Sequence, residues 1–501
     1  MRSIYLLVAL IIFSYSKSWS QYFSETYSLG LDIKFNRHTI TVPVKSADQS
    51  KTALFFIDKK HINAYLLGKR LQVTDSLGFL ARPSTFSFPI IIGGFEYDEN
   101  KYALVFKGNK SIIMAFFDFQ IDQMDVKELP LFNDSELFLA STFYERTFYV
   151  LNRAISSNEV LVYAISKDVG IRKTVFNFGD IKVGSKEFKL SRAFRREGLF
   201  PIISDTYNGL ASTYHPNKLY ISKNEMQITL DSEEDYTLLL KLDLALSTQS
   251  YQIYAQNRFG CTAGSGYAAN EGFISFSSNS FIYENWLFQT SACDRLFRLQ
   301  IKDLETGQMR KGYSFTHEGG LTFKNSRILQ YNDGTSTFNS GSTKEITKNA
   351  RLLRGMVNTS PAIVVNPYLN GIWKLTIGSF KEAYLSDNSI GAGIVREPIV
   401  TTPNGVVSGP ATAISSLLSP YYSDTHIGTR YFETLLNKET LEHNTGSLGE
   451  NAFSRFRSQK AQQRYDLITR PAQAVFVAGN TFIYAYYDSG KKKYVFNRYG
   501  L

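Results

Sequence analysis

The chain has few cysteines and none of the short motifs that mark the large enzyme families. Only two of its 501 residues are cysteine, and neither stands beside a histidine. No Gly-x-Ser-x-Gly elbow, P-loop or dinucleotide fingerprint occurs in the context that each requires. None of the histidines lies four residues from another, the spacing of zinc ligands on a helix. The sequence therefore predicts no metal and no cofactor; a metal site with ligands from distant strands is the alternative. The six histidines are His38, His61, His215, His317, His426 and His443.

Long apolar runs are also missing beyond the first twenty residues. A bilayer-spanning helix needs about 20 apolar residues, so we expect no transmembrane segment in the mature chain. The one apolar run, Ile4–Phe13, follows the basic Arg2 and precedes the small-x-small site Ser18-Trp19-Ser20. This pattern predicts a signal peptide over residues 1–20, with export to the periplasm or the extracellular space. A membrane anchor is the alternative, but the run is short for one.

The charge of the chain is moderately basic. The formal net charge is +10, and removal of Arg2 and Lys17 with the signal peptide leaves +8. A basic exported protein favours anionic surroundings, such as an acidic polysaccharide, lipid head groups or an acidic partner protein. Solubility alone is the other interpretation of the charge. Because no basic residues cluster along a helix, we do not expect nucleic acid as a partner.

The two cysteines predict one disulfide bond. Two thiols in an exported chain favour a Cys261–Cys293 bridge, because export places them in an oxidising compartment. The alternative is a pair of buried free thiols.

Short strand-like segments recur in groups of four. Tight turns join most of them, and repeated antiparallel meanders of this kind predict an all-β fold, specifically a β-propeller of about seven four-stranded blades, with six or eight blades as alternatives. The clearest groups are Ile90–Glu96, Lys101–Lys107, Ser111–Gln120 and Asp125–Phe132; Glu136–Glu145, Arg146–Asn152, Asn158–Ser166 and Ile171–Phe178; Lys218–Ser222, Glu225–Leu230, Asp235–Leu244 and Thr248–Ala255; and Gly272–Ser277, Ser280–Thr290, Asp294–Asp303 and Gln308–Phe315.

The two ends of the chain complement each other. Gln473–Gly500 contains three strand-like runs, and Tyr27–Val44 contains two. We therefore expect an N-terminal strand to complete the last blade, which closes the ring. Residues 21–501 are predicted to form a single propeller domain, with a long Pro- and Gly-rich loop near 395–422 and a short helix near 450–467.

One hairpin resembles a known family. In Phe297–Phe315, the turn Asp303-Leu304-Glu305-Thr306-Gly307 lets Asp303 cap the turn while Gly307 takes a positive φ. This segment resembles the outer hairpin of quinoprotein-type and TolB-like propeller blades. The resemblance implies a propeller fold. It implies no activity, because the tryptophan pattern of quinoproteins and the sialidase Ser-x-Asp-x-Gly-x-x-Trp box are both absent.

Candidate site residues are aromatic or charged. Trp286 and Trp373 are candidates for stacking on sugar rings, although both lie in strand-like runs where packing in the core is the alternative. The acidic group Glu96, Asp98 and Glu99, the basic run Lys491–Lys493 and the pair Arg351/Arg354 are interpreted as solvated.

Two functions fit these features. The first is an exported, non-catalytic propeller that binds a polymer such as an acidic glycan, or a protein partner, at the cell envelope. The alternative is a secreted polysaccharide-active enzyme, a lyase or glycoside hydrolase, on the same scaffold.

Overall fold

The structure is a computed structural model. It describes residues 25–31, 39–58, 61–79, 90–108, 110–166, 170–194, 198–202, 208–231, 235–256, 261, 276–332, 342–369, 371–380, 399–402, 405–407, 427–449, 472–478 and 481–500. The predicted signal peptide (1–20) and the predicted helix near 450–467 lie outside these ranges.

Antiparallel strands dominate the described chain. The N-terminal strand β1 (Glu25–Leu29) is followed by three sheets of four strands, each strand paired with the one before it. The first sheet holds β2 (Ile40–Lys45), β3 (Lys51–Ile57), β4 (Ile62–Gly68) and β5 (Val73–Phe79). The second holds β6 (Ile90–Asp98), β7 (Lys101–Lys107), β8 (Ile112–Asp118) and β9 (Gln123–Leu129). The third holds β10 (Glu136–Tyr144), β11 (Thr147–Ala154), β12 (Glu159–Ser166) and β13 (Gly170–Asn177).

Short elements separate the third sheet from the fourth. They are the hairpin of β14 (Ile181–Val183) and β15 (Lys186–Phe188), helix α1 (Leu190–Ala193), strand β16 (Phe200–Ile202) and helix α2 (Leu210–Thr213). The fourth sheet holds β17 (Asn217–Ile221), β18 (Glu225–Leu230), β19 (Tyr236–Asp243) and β20 (Thr248–Ala255), with β16 parallel to β17 at its edge. The fifth sheet holds β21 (Phe276–Tyr283), β22 (Trp286–Cys293), β23 (Leu296–Asp303) and β24 (Met309–Thr316).

The sixth sheet departs from simple chain order. Its elements are β25 (Ile328–Asn332), β26 (Ser342–Ile346), helix α3 (Asn349–Asn358), β27 (Ser360–Leu369), β28 (Ile372–Phe380) and β31 (Ile427–Asn437). The strands lie in the order β26-β25-β31-β28-β27. Two more strands, β29 (Ile399–Thr402) and β30 (Gly405–Val407), lie within the segment near 395–422 that was expected to be a loop.

The ends of the chain meet in the last sheet. It holds β32 (Ala474–Ala478), β33 (Thr481–Asp488) and β34 (Lys493–Gly500). Strand β1 pairs antiparallel with β34, from Glu25 opposite Arg498 to Leu29 opposite Tyr494. Strand β29 pairs with β32, and β30 pairs with β6. Because β29 and β30 also pair with each other, these two strands connect the last sheet to the second in one continuous sheet. The predicted closure by an N-terminal strand is confirmed.

The hydrophobic core lies between neighbouring sheets. Strand β19 shows why: Leu238, Leu240 and Leu242 pack toward the third sheet, while Leu239 packs toward the fifth. Burial of both faces suits runs of leucine and other large apolar residues. Similar clusters join the first sheet to the second and the second to the third. A further cluster joins the first sheet to the last through Phe56 and Phe496. The all-β prediction is confirmed, and the number of blades stays a prediction.

One predicted hairpin was misplaced. The sequence pattern predicted strands over Gly272–Ser277 and Ser280–Thr290, but the chain turns at Glu284-Asn285, between β21 and β22. Glu284 takes a positive φ of 51° there. No glycine or proline marks this turn, so the sequence pattern predicts one long strand in place of two. Within the described ranges, no helix has the length and apolarity needed to cross a bilayer.

Candidate functional site

Three consecutive sheets surround a pocket of about 390 Å³. It lies where the first strand of each sheet turns into the second: at the end of β2, near the end of β6 and at the turn from β10 to β11. These turns occupy the same position in each sheet, so they lie on one face of the ring. The lining residues are Lys45, Ala47, Glu96, Tyr144, Glu145, Arg146 and Thr147.

Lys45 is the unusual member of the pocket wall. It is the last residue of β2, and its side chain is only 2% exposed. Its Nζ has no hydrogen-bond partner among the described residues. Burial lowers the pKa of Lys45 to about 7. A buried ammonium group without a partner is unfavourable. An anion bound beside Lys45 would therefore supply the missing ion-pair partner and favour the charged form of the lysine.

Glu96 lies on β6 next to the turn that follows β2. Its Oε2 accepts a hydrogen bond of 2.7 Å from the Ala47 backbone N–H. Burial raises the pKa of Glu96, and the nearby Asp48 carboxylate also raises it. The interpretation of Glu96 as a solvated residue of the hairpin tip was wrong, because it is 8% exposed. Asp98 and Glu99 are the acidic residues that lie closer to the tip.

The turn from β10 to β11 forms the outer rim of the pocket. Glu145 and Arg146 are exposed there, and Glu145 takes a positive φ of 52°. The positive charge of Arg146 acts to lower the pKa of Glu96, so the two side chains lie near each other. Tyr144 is half-buried and packs on the cluster between the third and fourth sheets. The pocket therefore combines two cations, two carboxylates and an aromatic ring.

The two predicted tryptophans lie elsewhere, in the core between the fifth and sixth sheets. Trp373 is 2% exposed, with its ring centroid 5.6 Å from Tyr283 and 6.0 Å from Phe288. Trp286 is half-buried against the same cluster. Neither residue lines the pocket. Sugar stacking by Trp286 and Trp373 stays a prediction, and the burial of Trp373 disfavours it.

The two cysteines form the predicted bond. Cys261 and Cys293 are joined by a disulfide, with Cα atoms 5.9 Å apart. Cys293 ends β22 and is fully buried, so the bond fixes residue 261 to the fifth sheet. The bridge lies apart from the pocket.

A network of buried polar side chains joins the fourth and fifth sheets. Lys218 Nζ lies 3.4 Å from Asp231 Oδ2 and donates to Asn279 Oδ1 at 2.5 Å, and both ionic side chains are fully buried. Asp231 also accepts hydrogen bonds from the Thr237 hydroxyl and from the backbone N–H and hydroxyl of Ser280. Because its groups satisfy one another, this network holds the sheets together and offers little to a ligand. Sequence reasoning missed it, since its members are far apart along the chain.

Metal ligands do not converge in the part of the chain that the structure describes. No group of three or more His, Cys, Asp or Glu side chains is arranged there to hold an ion.

Comparisons with known proteins find likenesses among solved structures only. No family model and no curated protein sequence matches it. Among solved structures it is similar to the WD40 domain of SCAP from fission yeast, with 10% identity over 95% of this chain and 98% of that one, and a TM-score of 0.35. It is also similar to an oligogalacturonate lyase in complex with manganese (8% identity, 96% and 99% covered, TM-score 0.33) and to TolB from Acinetobacter baumannii (12% identity, 56% and 54% covered, TM-score 0.24).

The chain is a β-propeller. Its own sheets and their closure establish this, because likenesses with such low TM-scores say nothing about ligand or reaction. The propeller presents its pocket at the turns between the first and second strands, and the chemistry of those turns is the basis for a function.

Proposed function

We propose that this protein is an exported, non-catalytic propeller that binds an acidic glycan at the cell envelope, in the pocket lined by Lys45, Glu96 and Arg146. The observation that carries the proposal is Lys45, whose buried Nζ has no partner among the described residues. A uronate carboxylate would supply that partner. The flexible four-carbon stem of a lysine lets its ammonium group turn toward such a ligand.

The mixed chemistry of the lining favours a sugar over a simple anion. Lys45 and Arg146 suit a ligand carboxylate, and charge-assisted hydrogen bonds of this kind are the strong ones. Glu96 and Glu145 suit ligand hydroxyl groups, which donate to carboxylates. Tyr144 adds an aromatic side chain, a type that commonly contacts the apolar face of a sugar. An acidic sugar carries a partner for each of these groups.

Export is supported by two features of the chain. The Cys261–Cys293 disulfide is typical of proteins from oxidising compartments. The pattern of residues 1–20 predicts a signal peptide. Both agree with a ligand found outside the cytoplasm.

The proposal is tested by calorimetric titration of the purified mature protein with oligogalacturonates. We expect Lys45→Met to weaken binding by about tenfold or more, since a hydrogen bond to a charged group contributes about 1.5–3 kcal/mol. Arg146→Ala should weaken it by a smaller factor, because Arg146 is exposed. Lys492→Ala, on an exposed turn of the last sheet, is the matched control and should bind like the wild type. If the oligomers do not bind, or if Lys45→Met binds them equally well, the pocket is not the glycan site.

A second candidate is a polysaccharide lyase or glycoside hydrolase at the same pocket. The specific observation that favours it is that one pocket is lined both by a lysine whose pKa is lowered to about 7 and by a glutamate whose pKa is raised. Groups tuned in this way suit general base and general acid work near neutral pH. Product analysis after prolonged incubation distinguishes the two. Unsaturated or shortened oligomers, formed by the wild type and not by Lys45→Met, would replace the binding proposal with the enzyme.

A further inference from the structure

Three arginines lie together on the sixth sheet and its helix. Arg351 and Arg354 are one turn apart on α3, so they lie on the same side of the helix. Both are exposed. Arg430, on β31, lies beneath that helix and is partly buried.

A glycine and two hydrogen bonds hold Arg430 in place. Gly355 of α3 has no side chain, and a Cβ built there would lie 2.7 Å from Arg430 Nη1 and 3.0 Å from Ser379 Oγ. Arg430 Nη1 donates to the Arg351 backbone carbonyl at 2.8 Å, and its Nε donates to Gln330 Oε1 at 3.3 Å. The close approach of helix and sheet therefore depends on Gly355.

The positive charge of this group is not compensated. Among the described residues, no carboxylate lies within the 4 Å of an ion pair to Arg351, Arg354 or Arg430. Burial lowers the pKa of Arg430, and the charges of Arg351 and Arg354 lower it further. Three guanidinium groups that repel one another are stabilised when an anion lies between them.

A buried hydroxyl lies beside this group, between the sheet and helix α3. Ser379 lies directly opposite Arg430 across the β28–β31 pair, so the two side chains project from the same face of the sheet. Ser379 is fully buried, and its Oγ has no hydrogen-bond partner among the described residues. An unsatisfied buried polar atom is rare in folded proteins.

We propose that Arg351, Arg354 and Arg430 form an oxyanion-binding site, separate from the pocket of the proposed function. The planar fork of a guanidinium group matches the paired oxygens of a carboxylate, sulfate or phosphate. The pocket is formed by the turns between the first and second strands of its three sheets, and β27–β28 is the corresponding turn of the sixth sheet. The arginine site lies at the other end of β28, so the two sites lie on opposite faces of the ring. A ligand at one leaves the other open.

Binding of small oxyanions to the mature protein at constant ionic strength tests this inference. The probes are inorganic phosphate, inorganic sulfate and galacturonate, each titrated by calorimetry against chloride as the supporting anion, and galacturonate is also titrated into Lys45→Met, in which the proposed glycan pocket is disabled. We expect saturable binding of phosphate or sulfate by the wild type, or of galacturonate by Lys45→Met, at one site per chain. The preferred probe distinguishes a phosphate, a sulfate and a carboxylate ligand.

Charge-matched variants distinguish anion binding at the arginine site from a non-specific effect of the protein's net charge. The double variant Arg351→Glu/Arg354→Glu should weaken binding more than tenfold. The control Lys182→Glu/Lys186→Glu changes the net charge by the same amount on the exposed β14–β15 hairpin, and it should change binding less than twofold. Arg354→Lys keeps the charge without the fork and should bind several-fold more weakly than the wild type.

Two results would overturn the inference: no saturable binding of phosphate or sulfate by the wild type or of galacturonate by Lys45→Met, or an equal loss in the arginine and lysine double variants. Neither depends on the glycan pocket, because Lys45→Met should leave binding at the arginine site unchanged. A failure here is thereby distinguished from a failure of the proposed function.

Discussion

Lys45 links the stability of this propeller to pH. Its pKa is about 7 in the folded protein, lowered by burial, whereas an exposed lysine has a pKa near 10.5. Between those two values the unfolded chain binds a proton that the folded chain does not bind, so the free energy of unfolding rises with pH in that window. Below pH 7 both states are protonated, and the unfavourable burial of the charge is present in full.

The prediction is a difference between the wild type and Lys45→Met. The variant removes the buried charge, so the wild type should gain stability relative to it as the pH rises from about 7 to about 10. Denaturant unfolding at a series of pH values measures this gain. A pH-independent difference would show that Lys45 titrates normally and is not buried as described.

The buried ion pair Lys218–Asp231 should contribute far more to stability than an exposed pair does. Removing one partner leaves the other charge buried, so Lys218→Met should lower the free energy of unfolding by about 3–5 kcal/mol. Lys110→Met breaks the exposed pair with Asp134 and should lower it by less than about 1 kcal/mol. Chemical denaturation of both variants is the measurement. Equal effects would mean that the Lys218–Asp231 pair is not buried as described.

Single residues were predictable from the sequence where chemistry left few choices. The Cys261–Cys293 bond follows from having only two cysteines in an exported chain. Lys45 and Glu96 were not predictable, because charged residues beside a turn are normally solvated. Glu96 lies beside Ala47 and near Arg146, both far from it along the chain, so no local pattern marks its position.

Strand elements were predicted well wherever a recognisable turn separated them. The bounds of β7, β18 and β20 agree with the sequence pattern, as does the turn at Asp303, whose carboxylate accepts from the Thr306 backbone N–H at 2.7 Å. The turn at Glu284-Asn285 was missed because its positive φ occurs at Glu284, and glutamate is not a residue type that indicates such a turn. The strand order of the sixth sheet, which does not follow the order of the chain, was also missed. It depends on pairing between segments that are far apart in sequence.

Gly307 supplies a prediction for the β23–β24 hairpin. Its φ is 72°, a conformation that costs other residues about 1–2 kcal/mol. Gly307→Ala should therefore lower the free energy of unfolding by roughly that amount, although no heavy atom crowds the new Cβ. Gly312→Ala, on β24 of the same hairpin, is the control and should not destabilise, because its φ is not positive. Comparable losses in both variants would contradict the role of backbone conformation.

At the scale of the whole molecule, the ring depends on the pairing of β1 with β34. A chain that begins at residue 32 lacks β1, so the outer edge of β34 is left unpaired. We expect the alternate amides of Tyr494–Arg498 that point toward β1 to lose protection from hydrogen exchange, while those that point toward β33 and those of the third sheet keep theirs. Full protection of Tyr494–Arg498 in the shortened chain would mean that β1 does not close the ring.

We propose that an acidic glycan binds where the first three sheets of this ring meet, beside Lys45. A crystal structure of the mature protein with an oligogalacturonate is the decisive experiment. We expect a ligand carboxylate within hydrogen-bond distance of Lys45 Nζ, with ligand hydroxyl groups donating to Glu96 or Glu145. An oligomer bound elsewhere on the propeller, with Lys45 still buried and unpaired, would contradict it.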